Sequence, residues 1–513
     1  MKIREFLDKH KFHLCVVLLT LLVALACVGL TYKVIAQGVM VWWLAVLLAF
    51  GVVSVPVIAF LIRRKRLSVQ IITVLILAVL GILYTFVFTP NSVPDEPLHY
   101  RTAYHISNQM LFKFGDEQKN MIMRAEDEAF VTNTSIILSD DQYVNVSKNS
   151  YLFCKDNKEI RANQTFIENK TLPYVASAIG ITIGRGANFS AFWTYQMGRI
   201  FNLLSFLVFV YFAIKLMPFN KVAIAAIAML PVNLHIMASV SYDVFSVGGV
   251  LLLFAYIMNL RYGQKKIGFK QLGILAVIIA LVIPQKVAYI GVAALVLLLP
   301  KENFKTPKLH FLFKCLLGLI AVGSILIVQM QNATKLLTDN VTYDENIAGY
   351  SLQYVFAHLG EIAKMLFNTI CYQTDFYIKS VTGHFGWFQI EAPWFITIPI
   401  LMVVAVSFMR KTGEPKAENT LAKLYSLALF IAVFLMVELL MLLDHTVMGS
   451  AFVEGVQGRY FIPALPLLFL VLRNNMIQVD NKTDDAVLIL MHALNVLNII
   501  FCVFAITVIM QNV

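Results

Sequence analysis

The chain has 513 residues, of which 59% are hydrophobic and only 14% charged, with a formal net charge of +11. A soluble protein carries about a quarter of its residues charged. This composition therefore excludes a soluble enzyme, a disordered chain and a disulfide-stapled secreted scaffold, and the recurring apolar runs mark an all-α polytopic membrane protein.

In chain order, the apolar runs place spans near residues 14–36, 40–61, 68–88, 193–215, 222–238 and 243–261. Seven more follow near 270–284, 286–300, 309–330, 394–409, 421–443, 460–473 and 485–510, about thirteen transmembrane helices in all. Lys2, Arg4, Lys9 and Lys11 precede the first run and hold the N-terminus in the cytoplasm. That run continues to Ala36 and a second span follows at once, so it reads as a retained span and not a cleaved leader.

Strict alternation from this start makes 1–13, 62–67, 215–221, 261–270, 300–308, 410–423 and 473–484 cytoplasmic. These loops hold more than half of the 41 Lys and Arg, and the C-terminus falls outside. The basic excess thus reports topology, with no nucleic-acid partner.

Three polar segments then face outward: 90–192, 331–393 and 444–459. The first is long enough for a small folded unit with helices lying at the membrane surface. In the second, Leu352, Val355, Phe356, Leu359, Ile362, Ala363, Leu366 and Ile370 recur at helical spacing opposite polar residues, which predicts an amphipathic juxtamembrane helix. Cys154 and Cys371 are the cysteines on outer segments, where a bridge between them is one option.

The chemistry gathers on the outer side. Thr89 to Arg101 reads TPNSVPDEPLHYR, with two carboxylates where the chain leaves the bilayer. Asp95 suits a helix N-cap, and Glu96 and Pro97 suit the first turn. The sharper reading makes one carboxylate a general base, with His99 one turn further on the same face.

Asp243 opens a later span and is again either a cap or an acid. Lys286 stands between two apolar runs with no room for a solvated loop, so it either snorkels or binds an anion. Arg459, in Gln457-Gly458-Arg459-Tyr460-Phe461-Ile462-Pro463, offers a planar fork suited to phosphate oxygens. His384, in the turn Gly383 to Trp387, can hydrogen-bond a substrate. Glu438, His235 and Arg199 read as members of internal pairs without a catalytic role. Carboxylates and cations together on an outer face suit glycosyl transfer from a lipid phosphate donor.

The motif Pro94-Asp95-Glu96-Pro97-x-His99, followed by Asp243, Lys286/Tyr289 and Gln457-Gly458-Arg459-Tyr460-Phe461-x-Pro463, resembles the bacterial membrane-protein family catalogued as domain of unknown function 2142. The resemblance covers roughly residues 68–475, and that family is similar to the GT-C superfamily of membrane glycosyltransferases. It implies a GT-C-like module over 68–475, two extra N-terminal spans in 1–67 and a C-terminal span in 476–513, in the bacterial plasma membrane. The superfamily usually has one span, not three, up to its acidic loop.

By this carry-over Asp95 or Glu96 is the base and Asp243 a helper. His99, Arg101, Lys286, Tyr289, His384, Gln457, Arg459 and Tyr460 are substrate-binding candidates. That Arg459 and Lys286 take the donor phosphate rests more on their chemistry than on the family. The resemblance leaves metal dependence open, since some superfamily members use a divalent ion and others rely on cationic side chains; no cofactor is certain, and any Mg or Mn would sit on Asp95, Glu96 and Asp243. The implied partners are a polyprenyl-phosphate sugar, a surface glycan or lipid acceptor, and membrane lipids. The alternatives are a polysaccharide polymerase or ligase, which would lean on Arg and His, and a lipid-linked glycan flippase, which needs paired charges at the midplane.

Overall fold

The computed structural model describes residues 42–168, 171–263, 266–337 and 349–509. The expected first span, with its flanking basic residues, lies outside these. Backbone polar groups in hydrocarbon must be satisfied within the chain, so long apolar runs become helices. Among the described residues six helices are long and apolar enough to cross a membrane. They are α1 (Trp42–Arg63), α2 (Val69–Val87), α7 (Ala191–Leu216), α10 (Asp243–Tyr262), α17 (Thr420–Asp444) and α19 (Thr483–Phe504, prolonged by π turns).

Between and around them run α3 (Glu96–Met110), α4 (Ala125–Asn133), α5 (Asp140–Lys148), α6 (Val175–Gly186), α8 (Lys221–Ala228), α9 (Pro231–Met237), α11 (Phe269–Val282) and α12 (Ile290–Ala293). The rest are α13 (Pro307–Leu337), α14 (Leu352–Ala357), α15 (Leu359–Thr382), α16 (Trp394–Ser407) and α18 (Leu465–Leu472).

Of the expected thirteen spans, six are thus long apolar helices among the described residues, and several others are shorter or broken. Residues 222–238 are not one continuous helix but α8 and α9, broken at Met229 to Pro231, and every residue from Val222 to Ser241 is buried. Proline lacks the donor needed to continue a helix and suits the first turn of a new one. An apolar run buried on all sides is core, not a lipid-facing helix. Residues 286–300 form short 3-10 turns around α12. The run at 460–473 begins as a 3-10 turn from Gly458 to Ala464 before α18.

Helix α7 is the central strut, packed on α6, α2 and α10. Small residues let the backbones approach: a Cβ on Gly180 of α6 would stand 2.2 Å from the Met197 carbonyl oxygen of α7. Helix α19 packs on α1 and α2, where Ser54 Oγ meets His492 Nε2 at 2.8 Å. Beyond the bundle, α3 to α6 form a lobe with its own core of Tyr100, Tyr104, Met121, Met123, Phe130 and Tyr174. Strand β1 (Met121–Arg124) pairs antiparallel with β2 (Glu159–Ala162) there.

The loops sort into two sets that touch within each set. Asn220 donates to the carbonyls of Ser407 and Met409, Arg261 pairs with Glu418, and Arg410-Lys411 runs beside Gln478-Val479. These are the loops read as cytoplasmic. In the other set, the Trp387 indole donates to the Asn91 carbonyl at 3.2 Å, the Leu138 N–H to Gln389 at 2.9 Å and the Val453 N–H to Thr369 at 2.9 Å. These belong to the three polar segments read as outer.

Within the second, the expected single amphipathic helix is interrupted at His358, giving α14 and α15. Its apolar residues divide: Val355, Ile362 and Met365 pack inward, while Phe356, Leu359, Phe367 and Ile370 stay exposed. Cys154 and Cys371 are free thiols, so the considered bridge does not form.

Candidate functional site

The site is built where the end of α2, the start of α3, the turn before α10, the bend at Lys286 and the 3-10 turn at Gly458 meet. Its foundation is Arg199 of α7, fully buried. Its Nε and Nη2 donate to the two oxygens of Glu96 at 2.7 and 2.5 Å. The remaining N–H groups go to the carbonyls of Thr85 (2.9 Å), Phe88 (2.6 Å) and Thr89 (2.8 Å). All five guanidinium donors are satisfied. Glu96 Oε1 also accepts the Val240 N–H at 3.0 Å, which ties in the turn ahead of Asp243.

Glu96 is therefore corrected from a candidate base to a buried staple, because both its oxygens are engaged. Arg199 is the internal partner that its place in a span suggested.

One residue earlier the backbone turns left-handed. Asp95 has φ +64° and occupies the N-cap position of α3, yet its side chain caps nothing. The capping reading thus fails for the residue that fitted it best. Left-handed conformation is costly for a residue with a Cβ and gathers at functional sites. Here it leaves the carboxylate about half exposed and 3.7 Å from Arg459 Nη2.

Arg459 stands between two carboxylates, with Nε 4.0 Å from Asp243 Oδ2 and making no hydrogen bond. Asp243, the first residue of α10, accepts a 2.8 Å hydrogen bond from Lys286 Nζ. Tyrosine rings enclose this cluster: Lys286 Nζ lies 4.2 Å from the Tyr460 ring centre and 5.1 Å from that of Tyr242. Tyr289 donates to the Tyr460 carbonyl at 3.0 Å, joining the Lys286 bend to the Arg459 turn. His99 meets the Tyr174 hydroxyl at 2.8 Å and lies edge-on to Tyr242.

The structure thus brings together Asp95, Asp243, Lys286 and Arg459, with His99, Tyr289 and Tyr460 around them. Arg101 is not brought in; it donates to Gln164 at 2.7 Å within the lobe of α3 to α6. His384 and Gln457 line a narrow pocket on another flank of Arg459, with Pro94, His235 and Ser380. Burial pushes the His384 pKa below its ordinary value, so this imidazole is neutral at pH 7. Its Nδ1 is buried without a hydrogen-bond partner.

His235, Tyr242, Tyr174 and Ser380 were not among the sequence candidates. Tyr242 adjoins Asp243 and was visible as a neighbour. His235 was read only as an internal partner, and a lone Ser or Tyr in apolar surroundings carries no signal that separates it from core.

Ser380 matters through Gly458, whose N–H donates to Ser380 Oγ at 2.7 Å. A Cβ on Gly458 would lie 2.1 Å from the Tyr377 carbonyl oxygen. Gly458→Ala must push the Arg459 turn off α15. The expected cost is about 1–3 kcal/mol of stability, read as a lowered thermal midpoint in detergent; an unchanged midpoint would contradict this packing.

The carboxylates expected to hold a metal do not assemble as one. Glu96 is consumed by Arg199, and among the described residues no three His, Cys, Asp or Glu side chains group as ligands. Asp95, Glu96 and Asp243 together therefore do not fit a Mg or Mn centre.

Residues 79–468, well over half of the chain, match the family described as predicted membrane protein (DUF2142). No curated protein and no solved structure matches.

Proposed function

The chain belongs to the DUF2142 family of predicted membrane proteins, and on that footing we propose that it is a GT-C-type glycosyltransferase. It moves a sugar from a polyprenyl-phosphate donor to a surface glycan or lipid acceptor on the outer face of the bacterial plasma membrane. The N-terminus is then cytoplasmic and the C-terminus outside.

What supports this reading is the meeting of Asp95, Arg459, Asp243 and Lys286 through contacts of 3.7, 4.0 and 2.8 Å from four separate segments of an apolar bundle. Keeping such charges within a membrane protein is costly, so their assembly favours a functional role.

In this mechanism Asp95, the half-exposed carboxylate, accepts the proton of an acceptor hydroxyl. The hydroxyl oxygen attacks the anomeric carbon as the bond from that carbon to the phosphate oxygen breaks. The phosphate leaves with the electron pair, and Arg459 and Lys286 hold the charge that grows on it. Asp243 keeps both cations in place before the donor arrives. Attack opposite the leaving group gives inversion.

The test is transfer from a defined polyprenyl-phosphate sugar to an acceptor by the purified full-length protein in detergent. Asp95→Asn is expected to retain the wild-type thermal midpoint and to lose about 100- to 10,000-fold in rate, the usual contribution of a general base. Wild-type transfer by Asp95→Asn would remove the base from the mechanism.

A further inference from the structure

A wider cavity lies away from the charged cluster, in the lobe of α3 to α6, between α4, α5 and the first residue of α7. It has a volume of about 190 Å³, room for one hexose ring. Its apolar lining is the buried Phe130 and Ala191 with the more exposed Ala129, and its polar lining includes Asn133, Asn145, Asn149 and Tyr151. Asn149 Nδ2 donates to Asn145 Oδ1 at 3.0 Å, which leaves the Asn145 amide N–H groups directed elsewhere. Among the described residues Asn133 makes no side-chain hydrogen bond within the protein.

The charges here are already spent. Glu126, also in the lining, accepts from the backbone N–H groups of Ala191 (2.9 Å), Lys155 (2.6 Å) and Asp156 (3.2 Å). Burial alone would raise its pKa, but these bonds outweigh it and hold the carboxyl below its ordinary range. Lys155 lies with Nζ 3.7 Å from the centre of the Tyr151 ring and is not part of the lining. No basic side chain lines the cavity among the described residues, so a phosphate or other anion has no counter-charge there. A saturated carboxylate gives a cation equally little.

Amides that donate and accept beside apolar side chains suit a ring with hydroxyls at its edge and C–H groups on its face. We infer that this cavity is a recognition subsite for an uncharged sugar residue of the acceptor glycan.

The cavity is also joined to the proposed base. Asn91, four residues before Asp95, donates from Nδ2 to the carbonyls of Val131 (2.8 Å) and Thr134 (2.9 Å), at the end of α4. Its Oδ1 accepts from the Tyr195 hydroxyl at 3.0 Å. The helix that walls the cavity thus grips the loop that presents Asp95. The word acceptor rests on the transferase reading; sugar binding does not.

The experiment is saturation-transfer NMR on the full-length protein in detergent, with methyl glycosides of a neutral hexose, an N-acetylhexosamine and a 6-deoxyhexose as probes and a hexose phosphate as charged control. At least one neutral glycoside is expected to bind in preference to the phosphate. Ala129→Trp fills the cavity from an exposed helix position, and Asn133→Ala with Asn145→Ala strips its polar lining. Each is expected to weaken binding about tenfold, as loss of one or two hydrogen bonds or of the space itself should, while Asp95→Asn leaves it unchanged.

Binding by no neutral glycoside, binding indifferent to both cavity variants, or preference for the phosphate overturns the subsite. If binding follows the cavity variants while no polyprenyl-phosphate sugar is ever transferred, the subsite stands and the transferase reading falls.

Discussion

Glu96→Ala is expected to cost about 3–5 kcal/mol of stability, the loss seen when a buried ion pair is broken from one side. Arg199 is fully buried and spends two of its N–H groups on Glu96. Removing the carboxylate strands a guanidinium inside the bundle and frees the Val240 N–H as well. The measurement is the thermal midpoint of the detergent-purified protein, alongside the fraction that remains monodisperse.

Glu96→Leu with Arg199→Met removes both charges and should recover only part of the loss. Arg199 also binds the carbonyls of Thr85, Phe88 and Thr89 at the end of α2. Gln196 and Ser92 still donate to those of Thr85 and Thr89, but the Phe88 carbonyl loses its donor. A wild-type midpoint in Glu96→Ala would show that the pair holds nothing. Set beside Asp95→Asn, with its fold intact and its turnover lost, the variants separate staple from base in adjacent residues.

That separation was beyond the sequence. Asp95 and Glu96 are neighbouring carboxylates with nearly the same chemistry, and what divides them is Arg199, more than a hundred residues later. Either carboxylate could be read as the base, and Asp95 also as a cap; the backbone sign at Asp95 and the guanidinium behind Glu96 divide their parts. Polar residues in apolar surroundings were easier to read. Asp243, Lys286 and Arg459 stood out because each is costly where it stands, and the structure places them within contact of one another.

Spans were legible only where length decided. The alternation of long runs and basic loops corresponds to helices whose two sets of loops touch within each set. Apolarity alone cannot tell lipid from core: Val222 to Ser241 is as greasy as a span yet wholly enclosed. Only Pro231 marked the break. The recognition cavity had no sequence signature at all, since asparagines in a polar loop are ordinary and their convergence depends on how α4 meets α5.

The second large effect belongs to Arg459. Its Nε has no hydrogen-bond partner, and its fork lies between Asp95 and Asp243 without closing on either. A guanidinium so placed has donors to give to an incoming oxyanion. Arg459→Ala is therefore expected to lower the transfer rate by about 100- to 1,000-fold, the scale found when one donor to a developing negative charge is removed.

Arg459→Lys should recover little, because a point charge on a flexible stem cannot reproduce two parallel N–H groups. The effect should fall mainly on kcat, since the charge on the leaving phosphate is larger in the transition state than in the bound donor. Asp243→Asn makes the complementary case. It leaves Lys286 and Arg459 without their shared carboxylate, so the free protein loses stability. Polyprenyl phosphate without a sugar should then raise its thermal midpoint more than it raises the wild type's, because an anion now completes the cluster. Wild-type transfer in Arg459→Ala, or a phosphate response in Asp243→Asn no larger than the wild type's, would mean that these cations hold the fold and not the donor.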